Sequence, residues 1–101
     1  MTFDEFQQSV FRTANAEAPV SYFGLGLAGE TGELVELVKK SEFHGRDIPI
    51  EKFVEEAGDV LFYLAALVGK KGLTLEDVAQ ANVEKLLKRY PNGFVPGGGI
   101  R

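Results

Sequence analysis

The sequence contains no cysteine and no tryptophan, and it has a single histidine. Without cysteine, a disulfide framework and a thiolate zinc site are both excluded. Positive charge is also scarce, since 11 basic residues face 15 acidic ones and the formal net charge is −4. Because proteins that wrap nucleic acid are usually basic, polynucleotide binding is disfavoured.

Long hydrophobic runs are missing as well. No apolar stretch approaches the ~20 residues needed to span a bilayer. The N-terminal residues Met1–Glu5 are polar and acidic and do not resemble a signal peptide. We therefore expect no membrane partner and a cytoplasmic location.

The 101 residues are 45% hydrophobic, which suits one domain that covers residues 1–101. Apolar residues recur at helical spacing and predict four helices. A capping box of Thr2 and Glu5 opens the first helix, which we expect to end at about Ala14. Pro19 separates it from the second helix, for which Ser21 is the candidate N-cap.

The second helix is expected to reach about Glu42, and a short loop, residues 44–48, leads to the third, with Gly72 just beyond its end. Thr74 and Asp77 form a capping box for the fourth helix, which Pro91 ends. On that helix we expect an inward face made by Val78, Ala81 and Leu86, with Ala79 as a further candidate.

The expected fold is all-α, a four-helix antiparallel bundle-like domain around a central hairpin of helices two and three. The apolar surface of such a hairpin predicts completion by oligomerisation. Residues 91–101 form a tail rich in glycine and proline that excludes regular structure and is mobile or docked on a partner subunit.

Two acidic pairs stand on the predicted hairpin, Glu30-x-x-Glu33 and Glu56-x-x-Asp59. The i, i+3 spacing puts the carboxylates of each pair on one side of their helix. Converging carboxylates repel each other, and a hard divalent cation removes that repulsion. Spacing alone leaves a magnesium site and two solvated acidic faces equally open. A carboxylate iron or manganese protein is a weaker alternative, because the single histidine, His44, lies in a loop.

The segments that contain these pairs, Gly29–Leu34 and Glu55–Val60, followed by Asn82–Leu86 and Lys88–Pro91, closely resemble the MazG-like nucleotide pyrophosphohydrolase family. The resemblance covers roughly residues 25–94. It implies hydrolysis of (deoxy)nucleoside triphosphates to monophosphate and pyrophosphate, with Mg²⁺, or alternatively Mn²⁺, held by both pairs. It also implies a homodimer or homotetramer.

The resemblance further implies substrate-binding roles for Asn82, Lys85 and Arg89 on the fourth helix; a solvated basic helix end is the alternative. Tyr63 is a candidate to stack on the nucleotide, or else a packing residue. Lys39 is a candidate phosphate ligand or a helix-dipole cap.

Several hypotheses about the function remain open. Within the enzyme class the alternative is a related substrate such as dUTP, dCTP or phosphoribosyl-ATP. Outside the enzyme class it is a non-catalytic helical interaction module. The segment from Gly24 to Gly29 matches G-x-G-x-x-G, but it lacks the preceding strand that a dinucleotide site needs. The glycines at 24, 26, 29 and 32 are instead explained by close helix packing, or at 29 and 32 by close approach of substrate.

Overall fold

A computed structural model of the chain describes residues 1–96. Its elements are α1 (Phe3–Val10), α2 (Val20–Phe43), α3 (Ile50–Lys70) and α4 (Leu75–Arg89). No strand occurs among residues 1–96, so the all-α prediction is confirmed. Residues 91–96 form turns and bends, and the rest of the predicted tail, residues 97–101, lies outside the described residues.

Both predicted capping boxes are present. The Thr2 hydroxyl accepts the Glu5 backbone N–H at 3.1 Å, and the Glu5 carboxylate accepts the Thr2 N–H at 2.7 Å. Thr74 and Asp77 make the same reciprocal pair at 3.0 Å in each direction. Because each box depends on residues three apart, these helix starts are encoded locally.

The end of α3 is also encoded locally. Gly72 has a φ of +77°, the left-handed conformation that glycine adopts without a side-chain penalty. Its N–H bonds to the carbonyl of Gly69 at 2.9 Å, and the N–H of Leu73 bonds to that of Val68 at 3.1 Å. These two bonds form a Schellman motif, which turns the chain sharply from α3 into α4.

The first helix is shorter than expected, since α1 ends at Val10 and not near Ala14. The Ser9 hydroxyl donates to the carbonyl of Phe6 at 2.7 Å, and the Thr13 N–H bonds three residues back to Val10. Such local bonds compete with the α-helical pattern and tighten the last turn.

Ser21 does not cap α2, so that expectation was wrong. The N-cap is Pro19, and α2 begins at Val20 without a side-chain cap bond. Proline suits this boundary because it has no N–H to leave unpaired and its fixed φ, here −71°, is compatible with helix entry.

The buried core lies at one end of the hairpin, where the start of α2 and the end of α3 meet α1 and the start of α4. Phe23 is its largest fully buried side chain, at 1% exposure. The core of buried apolar residues consists of Val10, Ala18, Phe23, Ala65, Ala66, Val68 and Leu75. The other end of the hairpin, near the loop at residues 44–49, contributes no residue to this core.

The fourth helix packs against α1 and α3, and in the described chain no Cα atom of α4 lies within 8 Å of one of α2. The inward face expected for α4 was wrong in part. Val78, Ala79 and Ala81 are exposed and Leu86 is half-buried, while Leu75 is buried.

The radius of gyration is 16.4 Å, against about 13 Å for a compact domain of this length. The chain is thus less compact than usual, and large apolar side chains such as Leu25 and Phe43 are exposed. In the part of the chain described, no helix is both long and apolar enough to cross a membrane.

Candidate metal centre

The central hairpin has a fixed register at Gly26 and Tyr63. A Cβ atom added at Gly26 would overlap the Tyr63 ring, so the absence of a side chain lets α3 approach α2 here. In an antiparallel pair, one residue forward on α2 faces one residue back on α3. This register places Glu30 level with Asp59, and Glu33 level with Glu56.

Three carboxylates converge in the middle of the hairpin. One oxygen from each of Glu30, Glu33 and Glu56 lies within 4.8 Å of the others. Glu33 is exposed and Glu30 is half-buried, whereas Glu56 is 9% exposed. We call these three residues the acidic cluster.

Two oxygens of the acidic cluster are buried without a hydrogen-bond partner in the described structure, Glu30 Oε2 and Glu56 Oε2. Burying a carboxylate oxygen without a partner is costly. A cation between the helices would satisfy both atoms at once.

The acidic cluster raises the pKa of Glu30. The largest cause is a hydrogen bond with the Glu33 carboxyl, followed by desolvation and the charges of Glu33, Asp59 and Glu56. A raised pKa means that the folded protein resists placing another negative charge here. The negative charges of these carboxylates are therefore not fully balanced by nearby positive charge.

Asp59 lies outside the group of three, and its side chain is exposed. Its charge nevertheless acts on both Glu30 and Tyr63. The pKa of Tyr63 is raised by burial, then by a hydrogen bond with Tyr22 and by the nearby carboxylates. Tyr63 thus packs on Gly26 beside the acidic cluster, which combines its packing role with a position next to the site.

A basic residue contacts the acidic cluster directly. Lys52 Nζ lies 3.1 Å from Glu56 Oε1 and 3.7 Å from Glu55 Oε1. The hydrogen bond to Glu56 and the charges of both carboxylates raise the pKa of Lys52. Sequence reasoning missed Lys52, although its place four residues before Glu56 on one helix is the signal for such a pair.

The other candidate binding residues are not part of the acidic cluster. Asn82, Lys85 and Arg89 are exposed on α4, which has no Cα atom within 8 Å of one of α2. Lys39 is exposed on α2, six residues beyond Glu33. The helical glycines at 29 and 32 have open space where a side chain would be, so helix packing does not account for them.

The acidic cluster fits a hard divalent cation. All of its ligands are carboxylate oxygens, the donors that Mg²⁺ and Mn²⁺ prefer. Two of its buried oxygens lack hydrogen-bond partners, and Lys52 contacts Glu56 and offsets part of the negative charge. Glu30, Glu33 and Glu56 could hold the ion, with Asp59 adjacent.

Fold and site together define an all-helical protein in which three carboxylates converge on its central hairpin. The family model of the MazG nucleotide pyrophosphohydrolase domain matches residues 21–94. The chain belongs to this family, as the sequence motifs indicated.

Two relatives are similar over most of the chain. Gene 37 protein of Mycobacterium phage L5 is 35% identical over 85 residues, which cover 79% of this chain and 74% of that protein. The uncharacterized protein YvdC of Bacillus subtilis is 42% identical over 74 residues, covering 63% of this chain and 69% of YvdC. No solved structure matches the chain.

Proposed function

We propose that this protein hydrolyses (deoxy)nucleoside triphosphates to nucleoside monophosphate and pyrophosphate in a reaction that requires Mg²⁺. The observation that carries the proposal is the convergence of Glu30, Glu33 and Glu56 with two buried, unpartnered carboxylate oxygens. Membership of the MazG family supplies the nucleotide as the substrate class.

The chemistry assigns a role to each part of the site. Mg²⁺ would neutralise phosphate charge and make bound water a better nucleophile. Glu30, Glu33, Glu56 and Asp59 would hold the ion and orient the attacking water. Water would attack the α- or the β-phosphorus, the bond from that phosphorus to the oxygen bridging the two would break, and monophosphate and pyrophosphate would separate as the water proton is released.

The substrate would be held by groups outside the acidic cluster. Lys85, Arg89 and Asn82 would contact the phosphates, Lys39 is a further phosphate ligand, and Tyr63 would stack on the base or ribose. Since no Cα atom of α4 lies within 8 Å of one of α2 in the described chain, a second copy would supply these α4 side chains to the acidic cluster.

We therefore include a homodimer or homotetramer in the proposal. Leu25, Val54 and Phe94 are 76%, 62% and 85% exposed, more apolar surface than a monomer of this size usually presents. Sedimentation equilibrium should give a dimer or tetramer at micromolar concentration. A monomer across that range would contradict this part of the proposal.

The test of the activity is a panel of nucleoside triphosphates, including dUTP, dCTP and phosphoribosyl-ATP, with product identification and with or without Mg²⁺. We expect monophosphate and pyrophosphate from at least one nucleotide, and only with the metal. Release of orthophosphate would indicate phosphatase action, and a well-folded protein inactive on every nucleotide would sink the proposal.

Variants locate the activity. Glu56→Gln and Asp59→Asn each remove one proposed metal ligand with little change in shape, so turnover should fall at least a hundredfold while helical content is kept. The matched control is Glu42→Gln, an exposed position nine residues beyond Glu33 on α2, which should retain turnover within twofold. Near-normal turnover in Glu56→Gln would show that the site lies elsewhere.

A further inference from the structure

Lys52 joins two carboxylates of very different surroundings. Its ammonium group lies 3.1 Å from Glu56 Oε1 and 3.7 Å from Glu55 Oε1. The Glu56 side chain is 11% exposed, whereas that of Glu55 is 65% exposed. The i, i+3 and i, i+4 spacings on α3 bring all three groups to one face.

The two partners differ in their relation to the acidic cluster. Glu56 belongs to it, and Glu55 does not. A cation bound by the acidic cluster would lie close to the ammonium group of Lys52, and like charges at such a distance repel each other. Lys52 contacts Glu56 Oε1, and Oε2 is the oxygen left for a cation, so the two positive charges would share one carboxylate and weaken each other's binding.

We propose that Lys52 is a built-in competitor for the metal centre, which neutralises Glu56 in the metal-free protein and moves to Glu55 when a divalent cation takes Glu56. The inference rests on the proposed function, because it assumes that the acidic cluster binds Mg²⁺. Little movement is needed, because Nζ already lies within ion-pair distance of both oxygens, at 3.7 Å from Glu55 Oε1 and 3.1 Å from Glu56 Oε1.

The competition gives the acidic cluster a defined partner in both states. Without metal, the lysine offsets part of the repulsion among the three carboxylates. With metal, Glu55 receives the ammonium group at the solvent-exposed face of the helix, where holding a charge costs little. The affinity for Mg²⁺ is thereby set below what the carboxylates alone would give.

The first experiment measures Mg²⁺ binding by calorimetry in the absence of nucleotide. Lys52→Met keeps the apolar stem but removes the charge, and it should bind Mg²⁺ roughly three- to tenfold more tightly than wild type at low ionic strength. Lys52→Arg keeps the charge and should stay within about twofold of wild type.

Lys71→Met is the matched control. It removes one lysine charge from the exposed cap of α3, 15 residues beyond Glu56 and so about 22 Å along the helix axis. At this distance salt screens the interaction, and its Mg²⁺ affinity should equal that of wild type within about twofold. Far-UV circular dichroism checks that each variant is folded.

A second experiment tests the role of Glu55. Glu55→Gln removes the alternative partner of Lys52, so it should weaken Mg²⁺ binding more in the wild-type background than in Lys52→Met. Glu51→Gln removes the same charge one position before Lys52, which the helix directs elsewhere, and should have equal effects in both backgrounds. Equal effects of Glu55→Gln in both backgrounds would remove Glu55 from the proposal.

The possible failures are separable. Mg²⁺ binding by the wild type with unchanged or weaker binding by Lys52→Met would overturn the competitor proposal alone, and would make Lys52 a support for Glu56. Absence of Mg²⁺ binding in the wild type and in every variant would overturn the proposed function as well.

Discussion

The side-chain carbonyl oxygen of Gln7 accepts the backbone N–H of Leu75 at 3.1 Å, across 68 positions of the chain. The amide nitrogen of the same side chain donates to the carbonyls of Ala65 and Leu73, each at 3.1 Å. Gln7 is buried and its three bonds tie α1 to the end of α3 and the start of α4. A polar side chain thus fastens the helices at the core end of the hairpin.

Replacing Gln7 by alanine should lower the free energy of unfolding by about 2–4 kcal/mol, because it removes three side-chain bonds and leaves the buried N–H of Leu75 without its partner. Gln8→Ala is the matched control, since Gln8 is the next residue on α1 and is exposed. Its cost should stay below about 0.5 kcal/mol. Urea denaturation followed by circular dichroism measures both, and equal costs would contradict the role of Gln7.

Alanine at Gly26 and at Gly29 should have opposite effects on stability. The new methyl group at 26 meets the Tyr63 ring, whereas at 29 it meets open space. Overpacking costs about 1–3 kcal/mol and exceeds the gain of up to ~1 kcal/mol in helix propensity, so Gly26→Ala should destabilise. Gly29→Ala should melt at or above the wild-type temperature. A lower melting temperature for Gly29→Ala would contradict the open space at this position. Lower turnover with an unchanged melting temperature would indicate that the substrate approaches Gly29.

The stability of the metal-free protein should fall as the pH rises above the ordinary range of a glutamate. The raised pKa of Glu30 means that the folded state binds this proton more tightly than the unfolded chain. The stabilisation that comes from the proton on Glu30 is therefore complete below the unfolded pKa of 4.5. It is lost as the pH rises through the higher pKa of the folded state.

Thermal melts in a chelator between pH 4 and pH 8 test this dependence. Glu30→Gln mimics the protonated side chain. The melting temperature of this variant minus that of wild type should therefore increase as the pH rises. Mg²⁺ added at pH 7 should raise the melting temperature of wild type, since a ligand of the folded state stabilises it. Parallel curves for the two proteins would show that Glu30 does not titrate abnormally.

Lys85 and Lys88 separate phosphate binding from general surface charge. Both are exposed on α4, and only Lys85 is proposed to contact the substrate. Lys85→Met should raise KM for the nucleotide about tenfold, equivalent to ~1.4 kcal/mol, with a smaller change in kcat. Lys88→Met should leave KM within about twofold. Equal KM values for the two variants would favour the solvated helix end.

Features that depend on neighbours along the chain were predictable from the sequence. The capping boxes of Thr2 and Thr74 and the glycine end of α3 at Gly72 each need only residues within about one turn. The pairing of Glu30 with Glu33 and the apolar position of Glu56 likewise follow from helical periodicity.

Features that depend on distant contacts were not predictable. Gln7 looks like any polar helix residue until the carbonyls of Ala65 and Leu73 are in place. The early end of α1 frees Phe11 to pack near Gly69, where a Cβ atom would meet its ring. The Lys52–Glu56 pair itself is local and its spacing indicates it, but the burial of Glu56 depends on the packing of the hairpin.

Because the core lies at one end of the hairpin, the two ends of the hairpin differ in their stability against local unfolding. Amide protons of α3 near Ala65 should exchange with solvent only when the whole molecule unfolds, whereas those near Phe53 can exchange by separation of the loop end alone. The acidic cluster lies between these two regions. Opening of the loop end would therefore admit water and ions to the carboxylates while the helices stay anchored behind them.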